Sequence, residues 1–213
     1  MSRILAAVDA CQASIDAAVV AGANLLLVHH GLFWGGLQPV VGRHWARLRA
    51  LIENGVAVYS VHIPLDCHPE VGNNAVLANA LGLTNLERAG EYKGVSIGLV
   101  GSVDKTLADF VTQVELVVGK THVIPGGPER ISRVGVVTGG AGSMTEAMRT
   151  AGADTFLTGE GNHHSFFDAT EGGINLIYAG HYATETFGVK ALAAHIERQF
   201  EIPWEFFDYP TGL

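Results

Sequence analysis

Two segments of the chain, residues 3–30 and 133–160, align without a gap and carry the same pattern of apolar and small residues. Each copy predicts a short apolar strand, a turn of small residues, a helix, a glycine after the helix and a second apolar strand. This order describes a β-α-β unit, in which the two strands are parallel and the crossover is right-handed. Two such units predict an α/β fold in which related halves form one globule with mostly parallel or mixed sheets and a cleft between the halves.

The likeness between the halves continues beyond these segments, after a change of register. VYSVH at 58–62 matches IYAGH at 177–181, so we expect His62 to correspond to His181 and Asp66 to correspond to Glu185. The alternative is a generic likeness, because any two β-α units rich in Ala, Gly and Val resemble each other. The matching pairs of a histidine and an acid favour a true internal repeat.

We predict that residues 1–213 form a single domain with three parts. These are a first half over about 1–88, a connecting segment over about 89–131 and a second half over about 132–213. Within the connecting segment, GVSIGLVG predicts a strand, and the residues from Lys105 to about Val118 predict a helix.

Residue types that bind metals follow the predicted ends of several buried strands. They are His29, His30, His62, Asp66, His181 and Glu185. Ligands of parallel α/β sheets bind at the carboxyl ends of the strands, so we expect these side chains to converge. Imidazoles and carboxylates suit Zn, Mn, Fe(II) or Ni, and this set exceeds what one open tetrahedral ion needs. The set predicts two divalent ions, with one carboxylate bridging them and water in the remaining positions.

Each of these residues also has an ordinary structural explanation. A histidine at a strand end is often only hydrogen-bonded, and adjacent histidines such as His29 and His30 normally point to opposite faces of a strand. Asp66 and Glu185 could cap the helices that follow them. The joint occurrence of all of them favours the metal site.

Two further places near these motifs carry candidate chemistry. Glu160 takes the position of His30 in the second copy, where it is a candidate acid/base or a support for a metal ligand. His163 and His164 lie in the loop that corresponds to the His29-His30 loop of the first copy. They could face the same cleft or lie on the surface.

Composition and charge exclude some classes of function. The net charge is −8 and no Lys/Arg cluster is long, so binding to nucleic acid is not expected. Apolar residues make up 48% of the chain and charged residues only 16%, which suits a buried sheet or an oligomer. Two cysteines, no signal-peptide pattern and no apolar run of membrane-spanning length predict a soluble, cytoplasmic protein.

These motifs resemble a known family, the Nif-three-like dinuclear metal-centre proteins, also labelled GTP cyclohydrolase I type 2 homologues. The resemblance covers essentially the whole chain, looks closest to short bacterial members without an inserted domain, and lies in VHHGLFWGG, HIPLDCHPEVGNNAVLANALGL, the TGE loop and AGHYATE. It implies a pair of divalent ions whose ligands are His29, His30, Asp66, His181 and Glu185. It also implies that Glu185 is the bridge and that His62 lies close to the metals without being a ligand.

The resemblance has two further implications. Family members look like ring-shaped homohexamers whose sites face an inner cavity, which agrees with the apolar composition of this chain. They usually have further residues before the strand that matches RILAAVDA. We therefore expect this chain either to be truncated or to lack an edge element of its first half.

Such a site is compatible with three functions. The first is a metal-dependent hydrolase of a small substrate, in which His62 or Glu160 shuttles protons; the family label suggests a GTP cyclohydrolase-like reaction. The second is a non-catalytic metal-binding module that buffers or delivers metal or serves as an adaptor. In the third, the ions only lock the two halves together, so that their removal would collapse the fold.

Overall fold

A computed structural model describes residues 1–212 of the chain, which form two compact units. The first unit contains Met1–Leu65 and Thr186–Tyr209, and the second contains Asp66–Glu185 together with the residues from Pro210. This division falls at other positions than the halves predicted from the repeat, and the single domain stays a prediction. Within residues 1–212, no helix combines the length and the hydrophobicity that crossing a membrane requires.

The first unit is built on a four-stranded sheet in which every neighbouring pair of strands is parallel. Its elements are β1 (Ile4–Asp9), α1 (Gln12–Val20), β2 (Leu25–His30), α2 (Gly42–Glu53), β3 (Ala57–Ser60) and β10 (Trp204–Phe206). The strands lie in the order β10-β1-β2-β3. The one-turn helix α3 (Ile63–Asp66) ends at the boundary of the unit, and α8 (His181–Phe200) begins in the second unit and continues into the first.

The second unit is built on a six-stranded mixed sheet. Its elements are α4 (Asn73–Ala80), β4 (Thr84–Tyr92), β5 (Val95–Thr106), α5 (Leu107–Val118), β6 (His122–Ile124), β7 (Arg130–Val137), α6 (Thr145–Thr150), β8 (Thr155–Thr158), α7 (Ser165–Gly172) and β9 (Asn175–Tyr178), with a 3-10 turn at Gly142–Met144. The strands lie in the order β4-β5-β7-β8-β9-β6. Only β7-β8 and β8-β9 pair in parallel, whereas β4-β5, β5-β7 and β6-β9 are antiparallel.

Apolar residues cover both faces of the sheet in the first unit. Along β1, Leu5 belongs to one buried cluster with Ile15 of α1, and the neighbouring Ile4 belongs to another cluster with Ala193 of α8. Successive side chains of a strand point to opposite faces, so a continuous apolar run is what a sheet with two covered faces needs. Burial of both faces explains why β1 and β2 are apolar up to the polar residues at their ends.

The core of the second unit lies against its mixed sheet. Phe156 of β8, Met148 of α6 and Leu176 of β9 are completely buried in one cluster. The helix predicted from Lys105 begins at Leu107, because β5 continues to Thr106 and the Thr106 side chain accepts a hydrogen bond from the Asp109 amide (3.1 Å). A threonine in this position is a favourable N-cap, and it fixes where the helix begins.

Both predicted β-α-β units form, and their first two strands pair with equivalent registers. Ile4 pairs with Leu25 in the first unit, and Val134, which aligns with Ile4, pairs with Thr155 in the second. The third strands do not keep this correspondence, because Leu25 pairs with Ala57 whereas Thr155 pairs with Asn175.

If the equivalence of Ala57 with Asn175 is extended along both strands, His62 is equivalent to Gly180. The predicted correspondence of His62 with His181 is therefore displaced by one residue. The duplication itself stays a prediction.

Candidate metal centre

In the first unit, two adjacent histidines end strand β2. His29 and His30 are buried, with 0% and 5% of their surface exposed. The Nδ1–H of His29 donates to the Val61 carbonyl oxygen (3.0 Å), and that of His30 donates to a carboxylate oxygen of Asp9 (2.8 Å). A proton held at Nδ1 leaves the Nε2 lone pair as the ligand atom, and such partners also fix the orientation of the ring.

His62 joins these two rings to form a cluster of three imidazoles. Its ring centroid lies 4.8 Å from that of His29 and 5.1 Å from that of His30. One ring nitrogen from each of the three residues lies within 4.8 Å of the other two, which is close enough for them to hold a common ion. The structure thus brings together all three histidines that the sequence predicted in this unit.

A cavity with an aromatic wall opens beside the three imidazoles. It has a volume of about 380 Å³, and its lining includes His29, His62, Phe33 and Trp34. The Trp34 ring stacks against the ring of His30 with centroids 4.9 Å apart. The cavity could admit a small molecule to the imidazole cluster of this unit.

In the second unit, a network of amide and hydroxyl groups holds Asp66. One carboxylate oxygen of Asp66 accepts hydrogen bonds from Asn73 (2.9 Å) and from the Thr138 hydroxyl (3.3 Å). Asn74 donates to the Asp66 carbonyl oxygen (3.2 Å) and accepts from the Thr138 amide (2.8 Å). Asn73 and Asn74 begin α4 and Thr138 follows β7, so these contacts fix the carboxylate between two elements of the unit.

His181 and Glu185 face each other at the start of α8. The Nε2 of His181 lies 3.2 Å from a carboxylate oxygen of Glu185, and its Nδ1 donates to Glu160 (2.7 Å). Glu185 is buried, with 3% of its surface exposed. The hydrogen bond to Glu185 is the main cause that raises the pKa of His181 to about 9; burial opposes the shift, and Glu160 adds to it. Without a metal, both ring nitrogens of His181 are therefore protonated at neutral pH, and the imidazole is positively charged.

The backbone at Gly139 leaves room for this pair of side chains. Gly139 has a φ of +71°, and a Cβ atom there would overlap Glu185 and lie 3.3 Å from Nε2 of His181. The Gly139 amide donates to the Thr184 hydroxyl (3.0 Å), which fixes the loop against α8. Imidazole and carboxylate groups are the donors that Zn, Fe, Mn and Ni accept, so the side chains of both units fit divalent ions.

The match to known proteins covers almost the whole chain. The family model described as Duf34/NIF3 (NGG1p interacting factor 3) matches residues 1–211. The chain belongs to the Duf34/NIF3 family. A Deinococcus radiodurans relative, named GTP cyclohydrolase 1 type 2 homolog, is 49% identical over 99% of this chain and 81% of its own length. An Archaeoglobus fulgidus relative with the same name is 40% identical over 100% of this chain and 86% of its own length.

Solved structures of similar proteins share this fold. A protein of Thermus thermophilus superposes with a TM-score of 0.89 at 44% identity, covering 100% of this chain and 85% of its own. Protein ybgI, described as of unknown function, superposes with a TM-score of 0.93 at 35% identity, covering 100% of this chain and 86% of its own. The family resemblance found in the sequence motifs is thereby confirmed.

In this Duf34/NIF3 protein, only some of the further residues predicted from the sequence contact a candidate metal ligand. Glu160 contacts His181 as a supporting partner, which agrees with one of its two predicted roles. His163 and His164 are exposed, and His163 contacts the ring of Phe167. Neither belongs to a group of potential metal ligands found among residues 1–212.

Sequence reasoning missed the residues that hold the ligands in place. They are Asp9, Asn73, Asn74, Thr138, Gly139 and Thr184. Two of them belong to the glycine-rich segment TGGAGS at 138–143. In this segment, Thr138 contacts Asp66 and Gly139 accommodates Glu185.

Proposed function

We propose that this protein binds two divalent metal ions and uses them as a metal-dependent hydrolase of a small substrate. The proposed ligands are His29 and His30 from the first unit, and Asp66, His181 and Glu185 from the second, with Glu185 as the bridge. Within each unit, most of these ligands have a hydrogen-bonded partner that fixes them, and this ordering is the observation that carries the proposal. Metal sites conserve such outer partners because they orient the ligands and tune their basicity.

The protein's own residues would contribute proton transfer and orientation. Divalent ions bound to these ligands supply Lewis acidity and lower the pKa of water. Glu160 keeps the His181 ring oriented by accepting from its Nδ1. His62, only half-buried beside the aromatic cavity, is the group that would accept and return a proton at a ring nitrogen.

GTP is the first substrate to test, because relatives carry the name GTP cyclohydrolase 1 type 2 homolog. The experiment follows formate release from GTP by the metal-loaded protein and by Glu185→Gln. The control is Glu171→Gln, which removes the same charge from an exposed position on α7. Turnover that is lost in Glu185→Gln and kept in Glu171→Gln supports the proposal. Equal signals in all three proteins would remove GTP as the substrate.

A wider panel separates hydrolysis from metal binding alone. The metal-loaded protein is tested on esters, phosphoesters, amides and nucleotides, and its metal content is measured by mass spectrometry. Two ions per chain and hydrolysis of one substrate class support the enzyme. Two ions per chain without any turnover would replace it by the non-catalytic metal-binding module.

We also propose that the protein self-associates as a homohexamer in the cytoplasm, without nucleic-acid or membrane partners. In the first unit, a short segment exposes an unusual number of large apolar side chains: Phe33, Trp34, Leu37, Val41 and Trp45. Contiguous exposed apolar patches are typical of interaction surfaces. Light scattering coupled to size-exclusion chromatography measures the mass directly, and a monomer at micromolar concentration would contradict the proposal.

A further inference from the structure

The second unit contains a cavity whose walls are mostly aromatic. Its volume is about 410 Å³, which falls in the range of roughly 300–1,000 Å³ that is common for small-molecule sites. The lining includes His122 and Tyr178 from the sheet, together with Phe166 and Phe167 from α7. We propose that this cavity binds the planar ring of an uncharged heteroaromatic ligand.

The sheet contributes two aromatic side chains to the lining of this cavity. His122 of β6 and Tyr178 of β9 are direct partners in an antiparallel strand pair, so their side chains lie on the same face. Their rings are nearly parallel, with an angle of 13° between them and centroids 6.3 Å apart. Planar heteroaromatic ligands stack favourably on such surfaces.

Helix α7 contributes the other aromatic groups of the lining. Phe166 and Phe167 pack edge to face with centroids 5.4 Å apart, and Phe167 packs in the same way against His163, 5.8 Å away. Both phenylalanines remain nearly half exposed, at 47% and 48%. A ring between α7 and the sheet would cover apolar surface that now faces solvent, which is favourable.

Polar side chains in the cavity wall distinguish a heteroaromatic ring from a hydrocarbon. The lining includes the amide of Asn162 and the imidazoles of His122 and His163, and all three residues are exposed. These groups can form hydrogen bonds with a ring nitrogen or a carbonyl oxygen of the ligand. The Tyr178 hydroxyl is buried and packs closely against Gly161, so Tyr178 offers the ligand its ring and not its hydroxyl.

The lining also sets the charge of the ligand. No lysine or arginine is among the residues that line the cavity, and the exposed Glu160 is adjacent in sequence to the lining residue Gly161. Phosphate groups require basic partners or clustered backbone amides, so the cavity favours a base or a nucleoside over a nucleotide.

Two residues that line the cavity are close in sequence to residues of the proposed metal site. Gly161 follows Glu160, which supports His181, and Tyr178 precedes His181 by three residues. We assign the ring-bearing ligand as the substrate, and this assignment alone rests on the proposed function. Ring binding itself would remain without catalysis.

The test measures binding of adenosine, guanosine, GTP and ribose by calorimetry, with metal-loaded and with metal-free protein. We expect both nucleosides to bind, ribose to give no signal, and GTP to bind no more tightly than guanosine. No nucleoside binding to either form of the protein would overturn the proposal. Binding of GTP that is tenfold tighter than that of guanosine would overturn the assignment of an uncharged ligand.

Variants then locate the site. His122→Ala and Phe167→Leu should each weaken nucleoside binding by tenfold or more and leave the metal content unchanged. Asn162→Ala, which removes a polar group of the lining, should weaken it by about fivefold, whereas Tyr178→Phe should leave it unchanged because the hydroxyl is buried. The control is Leu116→Ala, an exposed site on α5 of the same unit.

The outcomes separate this proposal from its alternatives. Unchanged nucleoside binding in His122→Ala and Phe167→Leu would overturn the proposed location. A change of oligomeric mass in Phe167→Leu, with nucleoside binding intact, would instead identify the phenylalanines as a contact between copies of the chain. Nucleoside binding to a protein that takes up no metal would leave the ring site standing and overturn the proposed function.

Discussion

The two units hold their candidate ligands by different means. In the first, the histidines are buried and each Nδ1 donates to a fixed oxygen, one from a carbonyl and one from Asp9. In the second, two of the three candidate ligands are carboxylates, with Asp66 fixed by an asparagine and a threonine and Glu185 buried against a histidine. The first unit therefore offers imidazole nitrogens, and the second offers mainly carboxylate oxygens.

In the proposed metal centre, this difference would divide the work of binding divalent ions. Imidazole nitrogens favour Zn, Fe and Ni over Mg and Ca, so the first unit would set the choice of metal. The carboxylates neutralise positive charge, and a carboxylate close to an imidazole raises its pKa, as at His181. The second unit would therefore couple metal binding to protons.

The largest effect on metal affinity is expected from substitutions in the cluster of three imidazoles. His30→Asn should lower metal affinity more than about 100-fold, beyond the 10- to 100-fold that loss of a supporting partner costs. His62→Asn should keep the metal content and lower turnover, because the family resemblance makes His62 a neighbour of the ions and not a ligand. Competition with a chromogenic chelator measures the affinities.

His195→Asn, a change at a partly buried position on α8, is the matched control. Circular dichroism confirms that each variant folds. If His62→Asn loses metal as severely as His30→Asn, all three imidazoles of the cluster are ligands.

The next largest effect is the dependence of metal affinity on pH, which we expect from His181 in the second unit. Because the pKa of His181 is raised to about 9 without metal, its Nε2 must lose a proton to bind an ion at neutral pH. We expect affinity to fall by up to about tenfold for each pH unit below 9. Calorimetry at pH 7.5 in buffers of different ionisation enthalpy counts the protons released on metal binding. Glu160→Gln, which removes part of the cause, should reduce that number, and an unchanged number would contradict this origin.

The same pKa has a consequence for the metal-free protein. A folded-state pKa raised above the ordinary value of 6.5 stabilises the fold below pH 6.5, and this stabilisation is lost as the pH rises towards 9. The melting temperature in the presence of chelator should therefore decrease over this range. A melting temperature that rises between pH 6.5 and 9 would contradict the protonated state assigned to His181.

The sequence identifies candidate ligands more readily than the groups that support them. Histidines and acids at strand ends are visible as residue types with a fixed spacing, and apolar runs indicate where the strands end. Asp9 ends β1 and His30 ends the neighbouring β2, where they are Cα partners, so their contact depends on strand register and not on spacing along the chain. The same holds for Thr138 and Asp66, which are 72 residues apart.

The sheet of the second unit shows a similar limit. Its two β-α-β strands were predictable from apolar periodicity, but the antiparallel pairing of β4 with β5 was not. Most residues of β4 are exposed, so this strand lacks the apolar run that identifies a buried strand. The one-residue offset between His62 and His181 was likewise invisible, because an alignment of two apolar segments does not report how their strands pair.

A smaller effect is expected from the support of an imidazole in the first unit. Asp9→Asn keeps the size of the side chain but removes the charge that faces Nδ1 of His30. We expect metal affinity to fall about tenfold, at the lower end of the effects of supporting partners. The control is Asp16→Asn on α1, an exposed acid of the same unit. Equal affinities of the two variants would mean that the charge of Asp9 does not support metal binding by His30.

The smallest effect is expected from the hydroxyl that supports Asp66 in the second unit. Thr138→Val preserves the shape of the side chain and removes a hydrogen bond of 3.3 Å, while Asn73 continues to hold the same carboxylate oxygen. A bond of this kind contributes about 1 kcal/mol, so metal affinity should fall by roughly fivefold. Thr112→Val, which removes an exposed hydroxyl bonded within α5, should leave the affinity unchanged. An effect at Thr138 as large as that at Asp9 would show that both units depend equally on their supporting groups, and the division of work between nitrogen donors and carboxylates would no longer hold.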